Sequence, residues 1–297
     1  MLIRLMPIGF VLLWSSSFIA ARVGLRYLSP LYFVTVRMVA AAVVLAAVMV
    51  VLRRSWRPVA GRWGHLAVSG VLTNTVLLMT AHYAMVHTGA APIALVQTLN
   101  PLLTALLAWP LLGEALRPLQ WVGLVLGAAG VVLVVGLAAA RSPLELNGLL
   151  LTAGGVVGLC SGTLYFGRFC RGVPMLEGTT VQLITAAVAC VVATTVFETP
   201  RAEWNDAAIG AVAWNAAAVS LGGMALYYLM LVRGTAARAT ANFYLVPGTA
   251  AVMAWVLLGE RLSALTVVGL GVSSAGCWLV ARRGHAAEPA GVRLRAG

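Results

Sequence analysis

PLLTALLAWPLLGEAL, residues 101–116, returns as PGTAAVMAWVLLGERL at residues 247–262. The proline, the Ala-Trp pair, the Leu-Leu-Gly-Glu run and the closing leucine all recur at one offset, 247 − 101 = 146 residues. Without gaps, roughly 20 of 46 positions from 90–135 match 236–281, more than shared apolar composition produces. The same offset pairs Gly9 with Gly155, Val11 with Val157, Ser15 with Ser161 and Arg22 with Arg168. The chain therefore reads as a half written twice.

Hydrophobic residues make up 61% of the chain and charged ones 9%, with mean hydropathy +0.96. A soluble surface needs about 25% charged residues to be wetted, so most of this surface faces something other than water. Apolar runs of about 20 residues, each able to cross a hydrocarbon core of about 30 Å as a helix, recur along the chain. A β-barrel is excluded because strict alternation is absent and the runs are too long for barrel strands. The net charge of +12 does not imply nucleic acid: the arginines fall in short gaps between apolar runs, and no basic patch alternates with aromatics. Cys160, Cys170, Cys190 and Cys277 lack metal-ligand spacing and histidine companions, so they read as small core residues, with no metal or cofactor expected.

The fold class expected is an all-α integral membrane protein with ten transmembrane helices arranged as two inverted five-helix repeats. Spans are placed at 5–22, 31–52, 64–86, 91–112, 118–138, 147–167, 175–197, 207–231, 239–258 and 263–281. The first repeat occupies 1–138, a linker 139–146, the second repeat 147–281, and a polar cytoplasmic tail 282–297. The first span could pass for a signal peptide, but its match to the segment from Gly155 to Arg168 marks it as a retained helix. With both ends cytoplasmic, the inner segments hold the two arginine-rich stretches Arg53–Arg62 and Arg168–Arg171 and most other arginines, while the 198–206 loop gathers acids outside. The positive-inside rule then favours a multi-pass protein of the inner (plasma) membrane with cytoplasmic termini. An odd number of spans per half turns the second half upside down, which is what alternating access requires of repeats. Gly154, Gly158 and Gly162 form one small-residue stripe, and Gly123 and Gly127 another, echoed by Gly269 and Ser273. Small residues let helices approach closely in lipid.

Polar side chains within a bilayer are costly and so mark function or helix-to-helix hydrogen bonding. Gln97 and Asn100 share a face of the fourth span, where Pro101 frees a carbonyl one turn earlier. Asn242 and Tyr244 hold the corresponding region before Pro247. Asn74 and His82 lie about two turns apart on the third span. His82 could titrate near neutral pH and couple transport to protons, or simply sit at an interface. Trp14, Tyr165, Tyr227 and Tyr228 could wall a cavity or pack at the membrane interface. Arg37, the one arginine well inside a span, could snorkel outward, pair with an outer acid or touch substrate. Glu114 and Glu260 could relay protons, but their positions at span ends after a glycine favour a boundary role. No carboxylate lies mid-span, which favours neutral, zwitterionic or amphipathic solutes moved downhill or by exchange.

These residues resemble a known family. Pro101 with Leu112-Gly113-Glu114, Pro247 with Leu258-Gly259-Glu260, and Trp14-Ser15-Ser16-Ser17-Phe18 are similar to motifs of EamA-type members of the drug/metabolite transporter superfamily, with Ser15 standing where glycine is usual. The resemblance covers about residues 5–281. It implies a ten-helix carrier of amino acids, other metabolites or drugs, often an exporter, with a central cavity lined by helices 1, 3, 4, 6, 8 and 9 and with helices 2, 5, 7 and 10 outside. The expected partners are a small-molecule substrate and the lipid bilayer, with no bearing on oligomeric state. Two other readings compete: a channel or structural membrane subunit, and a membrane-embedded lipid-linked group transferase. The second lacks convergent acid–base or metal-binding residues, and no phosphate-binding glycine loop with lysine is present.

Overall fold

A computed structural model describes residues 2–112, 118–223, 226, 230, 245–260 and 262–282. Among them the chain is helical apart from short connections and one isolated antiparallel bridge, Leu28 to Ala202. The helical runs are α1 (Leu2–Gly24), α2 (Pro30–Val51), α3 (Arg57–Thr88), α4 (Ala90–Val96, resumed at Leu99–Leu112), α5 (Pro118–Arg141), α6 (Pro143–Phe169), α7 (Met175–Phe197), α8 (Asp206–Ala213, continued by Trp214–Gly223), α9 (Val246–Leu258) and α10 (Ala264–Arg282). Six of these (α1, α2, α3, α5, α6 and α7) hold stretches long and apolar enough to cross a membrane; Asp206–Val219, Val246–Leu258 and Ala264–Val280 are shorter apolar helices. Helices suit this composition because hydrocarbon offers backbone groups no partner except one another. Val50, Val51, Val125, Val132, Val196 and Phe197 are largely exposed and form part of the apolar outer surface. The stretch 139–146, expected as a linker, is almost wholly absorbed into the end of α5 and the start of α6.

Caps place the helix ends. Ser142 accepts from the Leu144 amide with Pro143 in the first turn of α6, and the Asn205 side chain accepts from the Ala208 amide at the start of α8. The cap of α2 comes from elsewhere in the chain. Glu198, just past α7, accepts from the Leu31 and Tyr32 amides at 3.2 and 2.8 Å and from the Ser29 hydroxyl at 2.7 Å. A carboxylate at a helix N-terminus satisfies orphan amides and meets the positive end of the helix dipole.

Three local features depart from plain helices. The expected span 91–112 breaks between Val96 and Leu99, because Pro101 has no amide hydrogen to give Gln97. The Gln97 carbonyl instead accepts from the Asn100 amide at 3.1 Å. Val71–Val76 in α3 and Trp214–Gly223 in α8 are π-helical. Adding the repeat offset of 146 to 71–76 gives 217–222, inside the second segment, so the two bulges are repeat-mates.

Close packing concentrates at small residues. A Cβ added to Gly130 would lie 2.5 Å from the Gly269 carbonyl oxygen, and one on Gly123 would lie 2.7 Å from that of Gly276. The offset maps Gly123 to Gly269 and Gly130 to Gly276, so the two contacts are images of each other. α5 and α10 thus meet through equivalent glycine contacts on both helices. Gly127 faces Leu102 of α4 instead. On α6 the small stripe is Gly155, Gly158 and Gly162, which lie against Leu72, Thr73, Val76 and Leu77 of α3; Gly154 has open space around it. The expected stripe was therefore off by one position at its first member, because a spacing of four drifts around a helix of 3.6 residues per turn.

Candidate functional site: a central cavity and its clasp

A cavity of about 850 Å³ runs between the helices, within the size range of small-molecule sites. Its wall takes Trp14 and Phe18 from α1, Asn74, Leu77 and His82 from α3, Gln97 and Asn100 from α4, Leu159 from α6, Val219 from α8 and Pro247 from α9. The resemblance implied that α2, α7 and α10 would lie outside, yet Arg37, Met38 and Leu45 of α2, Leu176, Glu177 and Leu183 of α7, and Cys277 of α10 also reach it. The reason lies in side packing: α2 and α7 close on each other through Thr35, whose hydroxyl meets Thr194 at 2.7 Å and the Cys190 carbonyl at 3.1 Å, and stand beside α3 rather than in a separate outer layer.

Of the residues chosen from sequence, Gln97, Asn100, Asn74, His82 and Trp14 all line this cavity. Gln97 sits at the break of α4. Asn100 holds its carbonyl side toward α6, with the Cys160 thiol at 3.2 Å and the Thr104 hydroxyl at 3.4 Å from Oδ1. Asn74 occupies the π-helical segment, where its amide nitrogen donates to Thr73 Oγ1 at 3.0 Å and to the Gly70 carbonyl at 3.3 Å. π-bulges of this kind frequently mark functional positions because they turn side chains out of register. Tyr165 is a correction: it does not line the cavity. Its hydroxyl meets His65 Nδ1 at 2.7 Å, and Phe169 stacks on His65 with centroids 5.0 Å apart, so an aromatic cluster between α3 and the end of α6 holds it away. Tyr227, Tyr228, Asn242, Tyr244 and Glu114 lie outside the described residues.

The break of α4 is held from α10. Thr98 Oγ1 meets Ser273 Oγ at 2.5 Å, and the Cys277 thiol donates to the Thr98 carbonyl at 3.3 Å. Ser15 of α1, in the position where the family usually has glycine, donates its hydroxyl to the Val246 carbonyl at 3.1 Å and fastens α1 to α9. All four cysteines are buried and free. Burial pushes the Cys170 thiol, between α6 and α7, above its ordinary range, which keeps it protonated and unreactive.

An ion pair lies beside Ala21 and Met85, which line the cavity. Arg22 Nε stands 3.2 Å from Glu260 Oε1, and Arg22 Nη1 donates to the Met85 carbonyl at 2.7 Å. The same carboxylate accepts from the Ala90 amide, at 3.2 and 3.1 Å to its two oxygens. Arg22 so meets the carbonyl end of α3, and Glu260 the amide end of α4, each complementing the helix dipole it touches. Gly89 makes this approach possible. Its φ is +92°, and a Cβ there would come 3.1 Å from Glu260 Oε2. Four elements, α1, α3, α4 and the end of α9, meet in this clasp. Toward one end the cavity wall includes Arg54, after α2, and Pro174 and Glu177, at the start of α7. Glu177 was not singled out from sequence because it falls at the edge of a span, where acids ordinarily meet water; its burial to 4% exposure appears only in the packed fold.

The EamA-like transporter family model matches the chain twice, at residues 2–136 and 146–282. An archaeal protein from Archaeoglobus fulgidus named "Uncharacterized transporter" is 25% identical over 93% of this chain and 96% of its own. YedA of Escherichia coli (strain K12), named an inner membrane transporter, is 27% identical over 88% of this chain and 84% of its own. A protein of Streptantibioticus cattleyicolor named "Probable terminal-alkyne amino-acid exporter" is 30% identical over 92% of this chain and 91% of its own. A solved crystal structure covers 94% of this chain and 98% of its own length with a TM-score of 0.68 at 21% identity, a likeness of fold. With both matches spanning nearly its whole length, this multi-pass membrane protein belongs to the EamA-like transporter family.

Proposed function

We propose that the chain is a secondary transporter that exports small organic solutes, amino acids and related metabolites foremost, by alternating access at the central cavity. The observation that carries this reading is a cavity of about 850 Å³ between the helices, its largely apolar wall set with Asn74, Gln97 and Asn100, and with Arg54, Pro174 and Glu177 toward one end. A polar-flecked apolar chamber within a helical bundle is a carrier's geometry. A channel needs a continuous path instead. The relative named a probable terminal-alkyne amino-acid exporter supports the substrate class, and the transporter family and relatives speak for transport over a group transferase.

In this reading residues 1–138 and 147–281 are two inverted five-helix halves, ten spans in all. The exchanged glycine contacts of α5 and α10 and the repeat-matched π segments support it. Positive-inside orientation puts the termini and Arg53–Arg62 in the cytoplasm and the Arg22–Glu260 clasp outside, a cavity loading from the cytoplasm. The offset of 146 maps Arg22 to Arg168 and Glu260 to Glu114. The outward-facing state then releases the first pair and closes the second on the cytoplasmic side. Neutral or zwitterionic solutes move downhill or by exchange.

Reconstitution decides between the readings. Purified protein in liposomes should exchange a labelled amino acid or related metabolite saturably, with loss on Gln97→Ala or Asn100→Ala. Linear, unsaturable flux across many solutes would make it a channel, and turnover of a lipid-linked donor an enzyme. Cysteines placed in the 53–62 stretch should react with an impermeant reagent only from the cytoplasmic side.

A further inference from the structure

Arg37 sits in the apolar run YFVTVRMVAAAVV of α2. It is 8% exposed, its Nε is buried without a hydrogen-bond partner, and it lines the cavity. Among the described residues no carboxylate stands within ion-pair distance of it; the one ion pair is Arg22–Glu260. Glu177 lines the same cavity, but on α7 it lies thirteen residues from Cys190, which is level with Thr35, and so about 20 Å away along the helix. A buried guanidinium without a counter-charge is costly in any membrane protein, and such residues mark ligand paths.

His82 stands beside it. Phe33, one helical turn before Arg37, stacks on the His82 ring at 5.6 Å and 30°, which brings both polar groups to one stretch of wall. His82 Nδ1 is 2.7 Å from the Leu78 carbonyl. A carbonyl only accepts, so Nδ1 carries the hydrogen, and in the neutral ring Nε2 presents a lone pair. That Nε2 is buried with no partner. An unpartnered donor and an unpartnered acceptor are thus buried beside one cavity whose nearby wall is apolar, with Phe18, Met38, Leu77 and Leu78.

We propose that Arg37 and His82 form the recognition subsite for the head group of an α-amino acid with an apolar side chain: Arg37 receives the carboxylate, and His82 Nε2 accepts from the ammonium. The apolar wall takes the side chain. This rests on the carrier reading above and names its substrate class. A guanidinium matches carboxylate geometry with paired hydrogen bonds, which a lysine or a neutral amide does not reproduce.

The test is counterflow in proteoliposomes with labelled leucine, phenylalanine and methionine, their amides, and their N-acetyl derivatives. Wild type should exchange at least one amino acid saturably and discriminate against its amide about tenfold or more. Its N-acetyl form, which keeps the carboxylate and loses the ammonium, should compete more weakly than the amino acid. Arg37→Gln should level the acid-to-amide difference, Arg37→Lys should restore part of it, and His82→Leu should level the difference between free and acetylated amine. Equal exchange of acids and amides by wild type overturns the subsite, as does discrimination that persists in Arg37→Gln. Should Arg37→Gln fail to elute as a monodisperse species, the wild-type comparison decides by itself. Saturable exchange confined to solutes without a carboxylate overturns the subsite and leaves the carrier standing. Absence of saturable flux for any solute overturns the carrier reading as well.

Discussion

Gln97 and Asn100 share a face of α4, but the fold gives them different duties. Asn100 Oδ1 already meets Cys160 and Thr104, whereas the Gln97 side chain sits at the helix break on the cavity wall. Gln97→Ala should raise the KM of transport about tenfold, the worth of one hydrogen bond of about 1.4 kcal/mol, with unfolding temperature unchanged. Asn100→Ala should lower both transport and the unfolding temperature, since it also loosens α4 from α6. Counterflow kinetics beside thermal unfolding in detergent separates the two. Asn100 and Gln97 were legible as cavity residues because polarity inside an apolar run is a strong signal. Tyr165 misled for the converse reason: a tyrosine near a span end is equally at home in an aromatic cluster, and only its bond to His65 decides.

At the scale of helices, stability rests on contacts that admit no added atoms. Gly130→Leu should destabilise by about 1–3 kcal/mol, since a side chain there meets the Gly269 backbone. Gly154→Leu, with open space around the glycine, should leave the unfolding temperature within error. Thermal unfolding of the two variants side by side measures this. Glu198→Ala removes the acceptor for two amides and a hydroxyl at the start of α2 and should cost about 1–2 kcal/mol. The six long spans were readable from sequence because length and apolarity alone set a span. The α4 break followed from Pro101 only in part: the proline foretold a freed carbonyl, while the tight turn that satisfies it needed coordinates.

For the molecule as a whole, the proposed carrier cycle has the Arg22–Glu260 clasp close one end of the cavity. Glu260→Gln keeps the shape of the side chain and removes the charge that pairs with Arg22 and meets the α4 amide end. It should shift the population toward the state open at the Arg22 end, seen as faster labelling there of a cysteine placed at Ala21. Glu114→Gln should act in the opposite sense if repeat-mates alternate, slowing that labelling. Equal effects of the two substitutions would show that the pairs do not alternate.

The sequence by itself determined the class of solvent, the helical make-up, the duplication and, through Pro-x(11)-Gly-Glu, the resemblance that the family match bears out. These are properties of composition and period, which any apolar environment reads the same way. The tertiary structure decided which residues meet. It turned Glu260 from a span boundary into the partner of Arg22 and Ala90, brought α2 and α7 to the cavity, and left Arg37 facing it with no acid in reach among the described residues. No local rule contains such facts, because a buried charge is explained only by what the rest of the chain does or does not place beside it.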